Sequence, residues 1–367
     1  MEDSPRVKRY HRLQRLLSVA ELLLDLLVLL AFLFTGWAVT IRAWSLHISS
    51  RPAVALLVYL LAFGSAAWVI GLPLDLIKSF WLEHRFGLST LSLTGWLKDQ
   101  IKGLVLGGSL GALGFEFLYW TIRRWPETWW VISASAFVGF SILLANLAPI
   151  LILPIFFKFK PLENASLAER LLALAHRAGT NVKGVYEWKL SEKSRKANAA
   201  LIGLGNTRRI VISDTLLEQF QDDETEAVLA HEFGHHVHHH ILQRILVQVA
   251  GTFLGFYLAN VVLTRLDRFF GFDGLADFAN LPLLILVATT LSLLLLPAVN
   301  AHSRAMERQA DAYALRAIRS KAAFVSCMEK LAELNLAERR THPWIEFIFH
   351  SHPSIEKRID FAERFQA

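Results

Sequence analysis

A single cysteine, Cys327, stands in a chain of 367 residues. That excludes an internal disulfide and any multi-cysteine metal cluster, so a metal ion would have to be held by histidines and carboxylates. Cys327 itself reads as a helix-packing residue. Charge is scarce as well: 19% of residues are Asp, Glu, Lys or Arg, against 54% hydrophobic residues and a mean hydropathy of +0.38. Ordinary soluble enzymes carry more charge, and this composition points to an integral membrane protein. The net charge of +6 and pI near 9.5 would suggest a nucleic-acid partner in a soluble chain. Here the basic residues gather beside apolar runs, where lipid headgroups and topology account for them, and no nucleic acid is expected.

Long apolar runs are what the chain has in quantity. Arg6, Lys8, Arg9, Arg12 and Arg15 precede a run over 16–41 that is longer than a signal-peptide core and lacks a convincing cleavage site, so it is expected to stay as a first span. Further runs of the roughly 20 residues needed to cross a bilayer lie near 53–77, 103–122, 128–157, 245–264 and 281–299, which makes six spans. The N-terminal segment carries five Lys or Arg and the 78–102 loop four, whereas the alternate loops carry two each. Positive residues collect on the cytoplasmic side, so both termini, residues 158–244 and residues 300–367 are expected there. Glu21, Asp25, Asp75 and Glu116 fall inside spans, at about 2.5–3.5 kcal/mol each near the bilayer centre. They are expected to face one another, a water-filled space or the interface.

The stretch that organises the rest is His231-Glu232-Phe233-Gly234-His235. It sits in a helical register led by Glu224, Glu226 and an apolar run, with Asp222 or Asp223 as the expected cap. Residues four apart share a helix face, so His231 and His235 can both offer a ring nitrogen to one ion. This is the two-histidine half of a zinc site, and Glu232 is placed to take a proton from the attacking water without binding the metal. The longer motif HExxHxxGxxH would need Gly at 238 and His at 241. The chain has His238 and Ile241, so the third ligand must come from farther along. His236, His238 and His239 read as solvent-facing or adventitious metal binders.

Downstream, Glu307 and Asp311 are four apart in a helical stretch. Glu307 is the best third ligand, leaving a fourth position for water, and Asp311 can accept the other ring N–H of a ligand histidine. Near the C-terminus a helix is expected after Pro353, and His352 or Arg358 could stabilise an oxyanion. Strands are expected over 185–190, 197–205 and 209–213, after a helix over 165–178. An edge strand of that sheet could hold an extended peptide near the metal, or the sheet could simply pack beneath the helix.

The segments HEFGH with His240, SRAMERQAD, KANAALIGLGNTRRIVISDTLL, EHRFGLSTLSL and HPSIEKR together resemble the type I CAAX prenyl endopeptidases, membrane zinc proteases that also process yeast a-factor. The resemblance covers the chain from about residue 50 onward. It implies one Zn2+ per chain on His231, His235 and Glu307, Glu232 as general base, Asp311 beside a ligand, and His352 and Arg358 on substrate or transition state. It further implies that Asn198, with Ala199 and Ala200, lies on a substrate-pairing edge strand. The implied fold is a mainly α, polytopic membrane protein of about six transmembrane helices around a chamber, with an α+β gluzincin-type protease domain. The parts expected are 1–157 with four spans, 158–244 with the sheet and metal helix, 245–299 with spans five and six, and 300–367 with the third ligand. Eukaryotic members are longer with seven spans, and this chain ends without a prenylatable cysteine, so it resembles a bacterial member of the inner membrane. Its substrate is expected to be a peptide or protein, lipidated or membrane-associated, and membrane lipids are its other partner. A quality-control protease and a non-catalytic scaffold with a structural metal are the alternatives; the intact Glu232 speaks against the scaffold, because a structural site needs no base.

Overall fold

The computed structural model describes residues 3–203, 205–318 and 320–366. Among the described residues, six helices are long and apolar enough to cross a membrane: Pro5–Phe34, Pro52–Arg85, Leu93–Arg124, Trp129–Leu151, His240–Leu266 and Phe278–Ile318. They point large apolar side chains outward, with Leu23, Leu61, Leu113 and Leu294 all at least 60% exposed. Contiguous apolar surface of that kind suits hydrocarbon and not water. Where the spans meet, Tyr59 and Tyr119 pack edge-on against Phe278 and Trp129 against Phe256, and Tyr119 donates its hydroxyl proton to Asn280 Oδ1 at 2.6 Å.

The 16–41 run is not one span. The first helix stops at Phe34, Gly36 adopts φ +76°, and a separate helix runs from Trp37 to Ile48. A left-handed residue after the last turn ends a helix, and glycine takes that conformation without a Cβ penalty. The second span continues past Pro73 through a π-helical turn, Leu76–Leu82, into Arg85. Proline removes one backbone donor and crowds the preceding turn, and the wider turn absorbs that misfit. Glu21 pairs with Lys78, and Asp75 accepts a hydrogen bond from Gln100, so two of the acids in the spans have partners of their own.

Outside the spans, helix Ala165–Arg177 and a four-stranded sheet lie over the helix Asp222–Val237, the site helix. The strands are β1 (Phe159–Pro161), β2 (Val185–Trp188), β3 (Ala199–Ile202) and β4 (Arg209–Ser213), in the order β1-β2-β4-β3. β2 and β4 are parallel, and the outer pairs are antiparallel. Leu171, Leu174, Ile210, Ile212, Leu216 and Phe233 form the core between them. Cys327 belongs to that core on helix Lys321–Leu334, and burial pushes its thiol up to about 12.

One helix, Leu281–Ile318, carries both the sixth span and Glu307 with Asp311. It runs unbroken through residue 300 and packs along the site helix. The N-terminal helix also reaches the catalytic part. Arg15 bonds Glu338 at 2.8 Å, and the Asp3 carboxylate accepts from the Arg339 N–H at 2.8 Å. The start of the chain and its C-terminal segment therefore lie on the same side of the spans.

Candidate active site and metal centre

The site helix is fixed first at its start. Gln221, not Asp222 or Asp223, is the cap: its side chain accepts from the third residue of the helix while Glu224 accepts from the Gln221 N–H at 2.7 Å. Asp222, Asp223 and Glu224 fill the first turn, where carboxylates complement the helix dipole. Glu224 is buried and also receives Ser326 Oγ at 2.5 Å and Lys330 Nζ at 2.6 Å. Burial alone would raise its carboxyl, but these donors and the Gln221 N–H outweigh it and hold Glu224 below the usual carboxylate range.

One turn from the other end, Gly234 permits the close approach of the helix Leu281–Ile318. A Cβ built there would lie 2.8 Å from Ala310 Cα. That approach brings Glu307, itself 1% exposed, under the two histidines. His231 Nε2 is 3.2 Å from Glu307 Oε2, His235 Nε2 is 3.4 Å from Oε1, and the two Nε2 atoms are 3.3 Å apart.

The tautomers follow from the outer partners. His231 Nδ1 lies 2.8 Å from Asp311 Oδ1, and a carboxylate only accepts, so Nδ1 carries the proton and Nε2 a lone pair. His235 Nδ1 lies 2.8 Å from His240 Nδ1, whose Nε2 is in turn 2.8 Å from Gln309 Oε1. With the Gln309 oxygen assigned toward that ring, His240 donates to Gln309 and accepts from His235, which leaves the His235 Nε2 with a lone pair too. His240 reaches this place because His239, at φ +54°, turns the chain sharply between the two helices. Histidine is among the residues that tolerate that conformation.

Two ring lone pairs thus face a buried carboxylate whose oxygens both lack a hydrogen-bond partner. Lone pairs at these distances repel unless a cation lies among them, and the three donor atoms fall within 4.8 Å of one another. The donor set fits a divalent metal centre. The same carboxylates favour positive charge here: burial would lower His231, but Asp311 and Glu307 outweigh it and raise its pKa to about 9. His235, half-buried and beside His231, is lowered to about 3 by partial burial and the neighbouring ring.

Around this centre a cleft of about 560 Å³ is lined by Asn198, Ala199, His231, Glu232, His352 and Arg358, among others. Burial raises the Glu232 carboxyl above its ordinary range. His352 Nε2 comes to 3.3 Å from Glu307 Oε1 on the open side. Ala200 follows on β3 but is not part of the cleft wall. Arg358 faces inward: Nε donates to Asp311 Oδ2 at 2.9 Å and Nη2 to Oδ1 at 2.6 Å, a bidentate grip behind the His231 ring. His238 is not solvent-facing as expected: its ring stacks on that of His240, and its Nε2 is buried without a partner. Sequence reasoning missed Gly234, Gln309 and Arg244, whose Nη2 stands 3.7 Å from Glu307 Oε1. For Gly234 and Gln309 the only signal was their spacing from His231 and Glu307. Arg244 is four residues beyond His240 on the next helix, a spacing that could have found it.

Comparison with known proteins gives the family. Residues 161–366 match Peptidase family M48, and residues 2–158 match the CAAX prenyl protease N-terminal region, described as five membrane helices. Four of the six long apolar helices and the short helix Trp37–Ile48 lie in that N-terminal part. The uncharacterized metalloprotease YhfN of Bacillus subtilis is 30% identical over 363 residues, 97% of this chain and 84% of that one. CAAX prenyl protease 1 of Saccharomyces cerevisiae is 30% identical over 332 residues, 85% of this chain and 73% of the yeast protein. The crystal structure of S. mikatae Ste24p superposes with a TM-score of 0.88 at 26% identity, covering 98% of this chain and 88% of that one. With a metal-competent His-His-Glu centre on one side of six spans, and both halves of the chain matched, the chain belongs to peptidase family M48 and is a multi-pass membrane metalloendopeptidase of the CAAX prenyl protease-like type.

Proposed function

We propose that the metal is zinc, held by His231, His235 and Glu307, and that the protein cleaves membrane-associated peptides or protein segments at the cytosolic face of a bacterial inner membrane. The observation that carries this reading is the convergence of two outward ring lone pairs on the unpartnered Glu307 carboxylate. Two histidines and one glutamate with a position left for water is a common catalytic zinc set. When bound, zinc supplies Lewis acidity that makes water nucleophilic near neutral pH and polarises a carbonyl.

The chain's own residues do the rest. Glu232, on the cleft wall, takes the proton from the attacking water and returns it to the leaving amine; its raised carboxyl suits both tasks. His352 donates to the developing oxyanion from the open side of the cleft. Asp311 fixes the His231 tautomer, and Arg358 acts by holding Asp311 and not on the oxyanion. Asn198, Ala199 and Ala200 lie at the start of the edge strand β3, whose outward backbone groups allow an extended peptide to add as a further strand. Residues 1–157 and 245–299 serve as the membrane parts, enclosing a chamber, and 158–244 and 300–367 as the catalytic parts. A substrate bearing a lipid tail suits a site at the bilayer boundary.

The test is a cleavage assay of the purified protein in lipid nanodiscs, with prenylated and unprenylated peptides. Cleavage that chelator abolishes and added Zn2+ restores is expected, with the prenylated peptide preferred. Chelator-resistant cleavage would remove the metal from the reaction, and equal turnover of both peptides would remove the lipid preference.

A further inference from the structure

The outer edge of β3 is not open along its whole length. Asn198 turns its backbone toward β4, its N–H donating to Ser213 Oγ at 2.9 Å and its C=O accepting from the Ser213 N–H at 2.9 Å. Backbone groups alternate sides along a strand, so Ala197, Ala199 and Leu201 face away from the sheet. At Ala197 the outward groups are taken. Its N–H donates to Asn335 Oδ1 at 2.9 Å, and Asn335 Nδ2 donates back to its C=O at 3.1 Å. A primary amide thus makes the reciprocal pair that the peptide unit of an added strand would make. Both Asn335 and Ala199 line the cleft that holds His231 and Glu232.

Asn335 is held there at some cost. It ends the helix Lys321–Leu334, and the next residue, Leu336, adopts φ +49°, where glycine is usual. Reverse bonds from the Leu336 N–H to Glu333 C=O and from the Ala337 N–H to Ala332 C=O close that turn. The strained leucine is buried beside Tyr10, Leu82, Phe86 and Leu88, and its carbonyl lies 2.6 Å from His11 Nε2 on the N-terminal helix. Such strain persists only where the surroundings over-determine it.

We propose that Asn335 determines specificity by closing the peptide-binding edge: its amide occupies the strand position beside Ala197, so a bound peptide pairs with Ala199 and Leu201 and leaves the sheet there. The number of paired residues between that exit and the metal is thereby fixed. This rests on the reading that β3 binds the substrate, and extends it to where that binding stops.

A scan of N-methylated peptides on the wild-type protein tests it. N-methylation removes one backbone donor, so kcat/KM should fall roughly 3- to 10-fold at alternate positions facing β3. That sensitivity should cease at the residue beyond the one facing Ala199. In Asn335→Ala the next alternate residue should become sensitive, and extending the peptide by two residues at that end should raise kcat/KM, which it does not do in wild type. The same scan and length profile in both proteins would overturn the stop while leaving the edge-strand reading intact. Uniform insensitivity to N-methylation would sink the edge-strand reading and the stop with it. Should Asn335→Ala fail to fold, the wild-type scan still decides, since sensitivity continuing to the position opposite Ala197 refutes the proposal.

Discussion

Gly234 and Ala310 meet backbone to backbone: a methyl group on Gly234 would lie 2.8 Å from the Cα of Ala310 and 3.0 Å from its carbonyl oxygen. Neither backbone can yield without moving its helix. Gly234→Ala should therefore push the helix that carries Glu307 away from the histidines at a cost of about 1–3 kcal/mol. Metal affinity should fall roughly 10- to 100-fold, as when a ligand's support is lost. Competition with a chelator measures it, and unchanged affinity would show that the contact does not set the ligand geometry.

Glu232 is on the cleft wall but outside the ligand group. Glu232→Gln should keep the metal-to-protein ratio of the wild type while kcat falls about 10²- to 10⁴-fold, the usual worth of a positioned acid–base group. Elemental analysis beside a cleavage assay separates the two effects. Retained turnover would take the base role from Glu232.

If Glu307 is the third ligand, as proposed, Glu307→Ala should lose the metal outright, because two neutral rings would remain without a carboxylate. A metal content equal to wild type would place the third ligand elsewhere.

Glu224 offers a test by pH. Its folded-state carboxyl lies below the ordinary value of 4.5, so its contribution is fully present above the unfolded value and is lost as pH falls through the folded one. At pH 7 Glu224→Gln should cost about 1–3 kcal/mol, since a buried charged hydrogen-bond partner is lost. Thermal unfolding in detergent should show the gap between wild type and variant closing as pH drops below about 4.5. A gap that stays constant with pH would mean that the charge is not what Glu224 contributes.

Much of the centre was legible because it is written in local spacing. His231 and His235 are four apart, as are Glu307 and Asp311, and the helix period alone places each pair on one face. Strand β4 came out with the expected bounds for a similar reason: Arg209–Ser213 is a short β-branched run beside a turn. What could not be read depends on which elements meet. Gly234 looks like a weak point in a helix until Ala310 is known to lie against it. That Arg358, besides lining the cleft, bonds Asp311 through two of its nitrogens depends on the last helix meeting the helix Leu281–Ile318. Asn335 resembles an ordinary helix end, and nothing local says that Ala197 lies opposite. The break at Gly36 was readable in principle, since a glycine just past an apolar helix is a stop signal, but the hydropathy on both sides masked it.

The unbroken helix from Leu281 to Ile318 also sets an order of events during synthesis. The segment bearing the two imidazoles leaves the ribosome first, yet it stays unarmed until the last hydrophobic rod has been threaded into lipid and carries its carboxylate into place. A nascent chain that has not yet reached residue 307 lacks one corner of the His-His-Glu group, which is assembled only once that rod has been made.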